Sequence, residues 1–137
     1  MNDFLASLRI AASGLSAQTS RMRVIAENLA NADSAGKSPE EDPFRRRIPT
    51  FSAVLNRELG GYEVHVGRLE FDTSEFEERY EPGHPAADEN GYVRYPNINP
   101  MIEAMDMRAA QRTYEANLNV ISVSRQMMGR TLDILRG

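Results

Sequence analysis

Chemistry in this chain of 137 residues would have to begin at His84, which lies close enough before Asp88 and Glu89 for one imidazole and two carboxylates to share a divalent cation. A calcium loop sets carboxylates at alternate positions over about twelve residues with a closing glutamate, and that spacing is absent. The plain alternative is a turn through Tyr80-Glu81-Pro82-Gly83-His84-Pro85. His65 has no partner near it in sequence and reads as a strand residue. The run Arg45-Arg46-Arg47 could hold phosphate, but Glu40, Glu41 and Asp42 precede it, and a solvated or salt-bridged face reads better. Glycine-rich phosphate loops, H-E-x-x-H and G-x-S-x-G are missing. We therefore expect no enzyme, no metal and no cofactor. The rival reading is a small metal-dependent enzyme built on His84, Asp88 and Glu89.

The elements that would carry any such residues are bounded by composition. Hydrophobic residues make up 41 %, tryptophan is absent, and the core must be modest. There is no cysteine, hence no disulfide framework and no thiolate metal site. The net charge of −4 divides into about 0 for residues 1–36, −5 for 37–98 and +1 for 99–137, which makes nucleic acid a poor partner. Apolar runs are too short for direct membrane insertion. The start MNDFLASLRI lacks a basic region, a hydrophobic block and a small-residue cleavage site. If the chain leaves the cytoplasm, we expect another route to carry it.

The C-terminal run, residues 99–136, reads as one helix of roughly 55 Å at 1.5 Å per residue. Stepping back from Leu135 by three and four reaches Leu132, Met128, Arg125, Ile121, Leu118, Tyr114, Gln111, Met107 and Ala104, which is coiled-coil spacing. A second row, Ala109, Ala116, Val120, Val123, Met127 and Ile134, lies on a neighbouring face, so the apolar surface is wider than one two-stranded seam needs. Contact with more than one partner helix follows. Asn99-Pro100 supplies an N-cap and a first-turn proline, with Glu103 and Asp106 near the start and Arg125, Arg130 and Arg136 near the end.

Residues 3 to about 32 form a second long helix, with Phe4, Leu8, Ala11, Leu15, Gln18, Met22, Ile25 and Leu29 along its seam. Gly14 costs about 1 kcal/mol there relative to alanine. Either another backbone approaches it closely or it is simply tolerated. Asn28 and Asn31 are read in two ways, as caps and turn formers at a fraying end or as amides that bond neighbouring chains. Residues 33–43 read as an exposed loop. In the middle, Gly60-Gly61 leads into an alternating strand at Tyr62, Val64 and Val66, Gly67 suggests a bulge before Leu69 and Phe71, and a short strand covers Tyr92 to Tyr95. The fold class expected is mainly α with a small β-rich insertion. Its segments are 1–36, an N-terminal helix; 37–98, a β-rich middle; and 99–137, a C-terminal helix. Both terminal helices can pair with each other or with those of other copies.

Ala12-Ser13-Gly14-Leu15 and Ala26-Glu27-Asn28-Leu29-Ala30-Asn31-Ala32 resemble the N-terminal signature of bacterial flagellar axial proteins, the rod and hook family. EPGHPAADENGYVRYPNINP and DMRAAQRTYEANLNVISVSRQMMGRTLDIL are similar to rod members, and PGHP through YPN is the most specific part. Leu29 and Asp33-Ser34 stand where the family often has isoleucine and Asn-Thr, and residues 33–43 and 57–79 carry no motif of it. The resemblance implies a structural subunit exported by the flagellar type III apparatus without a cleaved signal and built into the rod that crosses the periplasm. Its terminal helices would pair as an antiparallel coiled coil inside a tubular assembly, with the middle facing outward. Partners would be copies of itself, other rod proteins, the rod-to-membrane-ring adaptor and the membrane-ring protein. Inter-subunit packing would fall to Leu8, Leu15, Met22, Ile25, Leu29, Met107, Tyr114, Leu118, Ile121, Met128, Leu132 and Leu135, and inter-subunit hydrogen bonding to Asn28 and Asn31. A different axial component, distal rod or hook, is the alternative, although those usually carry larger middle domains.

Overall fold

A computed structural model describes residues 2–137. The order is α1 (Asn2–Ala30), β1 (Arg47–Ile48), β2 (Phe51–Asn56), β3 (Gly61–Val66), β4 (Glu70–Phe71), β5 (Glu77–Tyr80), β6 (Tyr92–Tyr95) and α2 (Pro100–Arg136). Two long terminal helices thus bracket a small β insertion, as the patterning predicts. Among the described residues the strands form three antiparallel ribbons, β1 with β4, β2 with β3 and β5 with β6. Two residues separate β1 from β2 and three separate β3 from β4, the extra one falling on the Gly67 side as a bulge would require.

The start of α2 and the end of α1 are set by local contacts. The Asn99 side-chain oxygen accepts the N–H groups of Met101 (3.0 Å) and Ile102 (3.4 Å), an N-cap ahead of Pro100 that satisfies two donors with no helical partner. At the end of α1 the Asn31 amide donates back to the Glu27 carbonyl (2.9 Å) and its oxygen accepts the Ser34 hydroxyl (3.1 Å), turning the chain out of the helix.

The chain divides into two compact units, each drawing on all three sequence segments. The first holds the chain up to Met22, Thr50–Arg68 and Arg108–Gly137. Here the β2–β3 hairpin turns at Gly60, whose φ of 66° suits glycine, while the Asn56 side-chain oxygen accepts the N–H groups of Glu58 and Leu59. Ser13 ties the hairpin to α1 by donating to the Ile10 carbonyl (2.7 Å) and accepting the Val64 N–H (3.1 Å). Gly14 answers the question its position raises. A Cβ there would lie 2.7 Å from Nδ2 of Asn117, so the glycine admits a side chain of α2 rather than a backbone.

The second unit holds Arg23–Pro49 and Leu69–Met107. Its core is small, Val93, Tyr95 and Ala86 with Ala35 and Ala87 packed against them. Strand β5, Glu-Glu-Arg-Tyr, carries no apolar alternation and has no sequence signature. It pairs because Glu78 faces Arg94, Arg79 lies 4.2 Å over the Tyr95 ring and Tyr80 meets Tyr92 edge-on. The 33–43 loop is less exposed than its composition suggests. Gly36 and Pro43 are buried, and the Phe44 N–H returns to the Ser34 carbonyl (3.1 Å).

Candidate assembly surface

The three consecutive arginines do three different jobs within the second unit, and their partners lie far along the chain rather than in the acidic run beside them. Arg45 donates to the carbonyls of Asp72 (2.7 Å) and Ser74 (3.0 Å) and stacks on Phe76. Arg46 donates to the carboxylates of Glu103 and Asp72, with Asp106 at 3.9 Å. Its backbone N–H meets the Asn97 side chain (2.8 Å), which itself holds the Asp72–Ser74 turn. Glu103 is 1 % exposed. Burial alone would lower the Arg46 pKa, but the bond and charge of Glu103, then of Asp72, outweigh it and hold the guanidinium above its ordinary value. Asp72 is held below the ordinary carboxylate range, first by the backbone and hydroxyl of Ser74 and then by Arg46.

Arg47 brings in Asn28. The Arg47 N–H donates to the Asn28 side-chain oxygen (3.0 Å) and the Asn28 amide donates to the Arg47 carbonyl (2.9 Å), so a buried side chain imitates a neighbouring strand. Arg47 also reaches Glu27 (3.1 Å). Both asparagines expected to bond neighbouring subunits therefore bond their own chain here, Asn28 to β1 and Asn31 to its own helix end.

The turn around His84 is likewise occupied by its own backbone. His84 Nδ1 accepts the Ala86 N–H (2.9 Å), and the Asp88 carboxylate accepts those of Asn90 and Tyr92 (both 2.9 Å), the pattern of Asx-type turns. Glu89 is exposed. Among the described residues no three histidine or acidic side chains converge as a metal site would require.

The helices carry the remaining candidate residues. In the first unit the covered positions of α2 are Ala110, Tyr114, Asn117, Ile121, Ser124, Met128 and Thr131, spaced alternately by four and three. Tyr114, Ile121 and Met128 belong to the seam read from sequence. The interleaved positions fall one residue earlier, on Ala110, Asn117, Ser124 and Thr131, and leave Leu118 and Leu132 exposed, with Leu135 beyond them. Small side chains decide this phasing, because a leucine at 117 would meet α1 where Gly14 and Asn117 already touch. On α1, Ala11, Gly14 and Ala17 are buried while Leu8, Leu15 and Met22 are half-covered. In the second unit Ile25 is buried, and Leu29 and Met107 are half-covered. The second row of α2, Ala109, Ala116, Val120, Val123, Met127 and Ile134, is exposed at every position. Helices of this chain therefore cover a seam in which Tyr114, Ile121 and Met128 alternate with small or polar residues, and leave a second, largely apolar row open.

The missed elements of the surface had one available signal. Glu103, Ala110, Asn117, Ser124 and Thr131 recur at sevens, a heptad of small or polar residues that an apolar count passes over.

Comparison with known proteins supplies the family. Residues 8–36 match the family described as flagella basal body rod protein, and residues 89–134 that described as flagellar basal body rod FlgEFG protein C-terminal. The chain is similar to the flagellar basal-body rod protein FlgC of Agrobacterium fabrum, at 45 % identity over 99 % of this chain and 98 % of that protein. It is 43 % identical to FlgC of Aquifex aeolicus over 97 % of this chain and 98 % of the other. For FlgC of Salmonella typhimurium the figures are 39 %, 91 % and 92 %. The chain belongs to the FlgC family of flagellar basal-body rod proteins and is a structural subunit of the basal-body rod.

Proposed function

We propose that this subunit polymerises through its two terminal helices, paired antiparallel as a coiled coil, into the proximal part of a tubular drive shaft that carries torque from the membrane ring to the hook. The observation that carries this reading is the open second row of α2. It runs from Ala109 to Ile134, about 38 Å at 1.5 Å per residue, apolar and unbroken over Ala116, Val120, Val123 and Met127 and interrupted only at Thr113 and Arg130. A soluble subunit rarely leaves such a stripe bare unless another molecule covers it. Antiparallel pairing is supported in two places. Gly14 meets Asn117 in the first unit, and in the second the end of α1 and the start of α2 bond adjacent residues, Asn28 to Arg47 at the start of β1 and Glu103 to Arg46 just before it.

On this reading the neighbours are other copies and other rod proteins, then the rod-to-membrane-ring adaptor and the membrane-ring protein. Leu118, Leu132 and Leu135 pack between subunits, and the middle segment faces outward. Export is by the flagellar type III apparatus, and the rod so built crosses the periplasm. No helix among the described residues is long and apolar enough to cross a membrane. The test is Val123→Asp, expressed in cells lacking their own copy. We expect export of the variant and no rod containing it. Rods assembled at normal number with Val123→Asp in place would overturn the reading.

A further inference from the structure

The β2–β3 hairpin is amphipathic in an unusual sense. Directly paired residues share a face, so Phe51 with Val66, Ala53 with Val64 and Leu55 with Tyr62 make one wholly apolar surface. The opposite face carries Ser52 with His65, Val54 with Glu63 and Asn56 with Gly61. That second face is the one turned to α1, because a Cβ on Gly61 would lie 2.6 Å from Ile10 and Glu63 reaches Arg9 at 3.7 Å. The apolar face is thus turned outward, and Tyr62 is 61 % exposed.

A receptor of matching chemistry exists on the same chain. On the flank of α2 away from the open row, Leu118, Ile121, Ser122 and Arg125 stand at i, i+3, i+4 and i+7 and enclose a dent, with Asn119 and Gln126 on its rim. Four residues at that spacing form the hole of a knob-into-hole contact. The floor is apolar with a small serine in it, and the rim is amide and guanidinium. An aromatic ring with a polar tip fits such a site, and tyrosine is that side chain.

Building on the polymerisation proposed above, we infer that Tyr62 of one copy seats in the Leu118–Arg125 dent of a second copy, its hydroxyl on the Arg125–Gln126 rim and the hairpin's apolar face laid along that flank of α2. Lengths agree. Six paired residues span about 20 Å at 3.4 Å each, and Leu118 to Leu132 spans about 21 Å. The hairpin face offers roughly 400 Å² of apolar surface, within the ~300–600 Å² of the largest patch on a typical monomer, which is often functional. That is about half of the ~800 Å² per partner of a stable dimer. This contact therefore forms inside an assembly that supplies others, not as a free dimer. Donor and receptor are different surfaces of one chain, so the contact is heterologous and propagates along a filament instead of closing on itself.

The chain has no cysteine, which makes the test direct. Tyr62→Cys and Ser122→Cys are co-expressed as separate copies in cells lacking the native one, basal bodies are purified, and a short bis-maleimide is added. A linked species of twice the chain's mass, present only when both variants are, is the expected result. The pair Leu55→Cys and Ser122→Cys serves if Tyr62→Cys prevents assembly, and Tyr62→Phe is expected to retain rods that Tyr62→Asp loses. Absence of the linked dimer in assembled rods, linkage of Tyr62→Cys to a different rod protein, or normal rods with Tyr62→Asp would each overturn the inference. Val123→Asp blocking assembly in that same strain would leave polymerisation through the open row standing.

Discussion

A carboxylate that is 1 % exposed leaves its guanidinium partner stranded when it is removed, and that governs what Glu103 does for the second unit. Glu103→Ala deletes the partner Arg46 shares least with solvent, and breaking a buried pair from one side typically costs about 3 to 5 kcal/mol. We expect a loss at the lower end, since Arg46 keeps Asp72, measurable as a shift of the chemical denaturation midpoint. Asp72 itself sets a pH dependence. Its pKa is lowered by Ser74 and Arg46, so its contribution is present above the ordinary carboxylate value near ~3.9 and is lost as pH falls through the lower folded value. Stability measured from pH 6 downward should therefore fall below about pH 4, and Asp72→Asn should flatten that part of the slope. None of this network was legible in the sequence beyond the salt-bridged character of the arginine run, because its carboxylates come from Asp72 and Glu103, brought in by tertiary folding.

At the scale of elements, helix ends were the most legible features and polar strands the least. Asn99-Pro100 announced the start of α2, and the cap geometry follows from residue types alone. Asn99→Ala should cost about 1 kcal/mol, read in the same denaturation experiment. Strand β5 escaped because Glu78 is held opposite Arg94 and Arg79 by stacking on Tyr95, which hydrophobic periodicity does not register. The seam phase on α2 was legible only by half, at Tyr114, Ile121 and Met128. Apolar counting favours leucine at every step, whereas close approach at Gly14 selects Asn117 and leaves Leu118 outside. Gly14→Leu tests that phasing. It places a branched side chain where even a Cβ would lie 2.7 Å from the Asn117 amide, and we expect a destabilisation of about 1 to 3 kcal/mol. An unchanged melting profile in that variant would remove the close approach from the account.

For the whole molecule, the relation between covered and open faces matters more than the size of the core. The chain covers a mixed row of α2, Tyr114, Ile121 and Met128 alternating with small or polar residues, and leaves the row of Val120, Val123, Met127 and Ile134 bare, which suits a subunit whose remaining burial comes from neighbours. A surface substitution such as Val123→Asp should then change the stability of the free chain by no more than about 0.5 kcal/mol, while abolishing incorporation into the rod. Family membership was legible from the Ala12 to Leu15 and Ala26 to Ala32 signatures together with PGHP through YPN, since those strings lie in or run into the two matched regions, 8–36 and 89–134. The measurement closest to the central claim is a side-chain-resolution electron cryomicroscopy map of the intact basal-body rod. The account predicts Val120, Val123, Met127 and Ile134 of this chain buried against helices of adjacent subunits. A rod in which that row faces solvent or the empty lumen would contradict it.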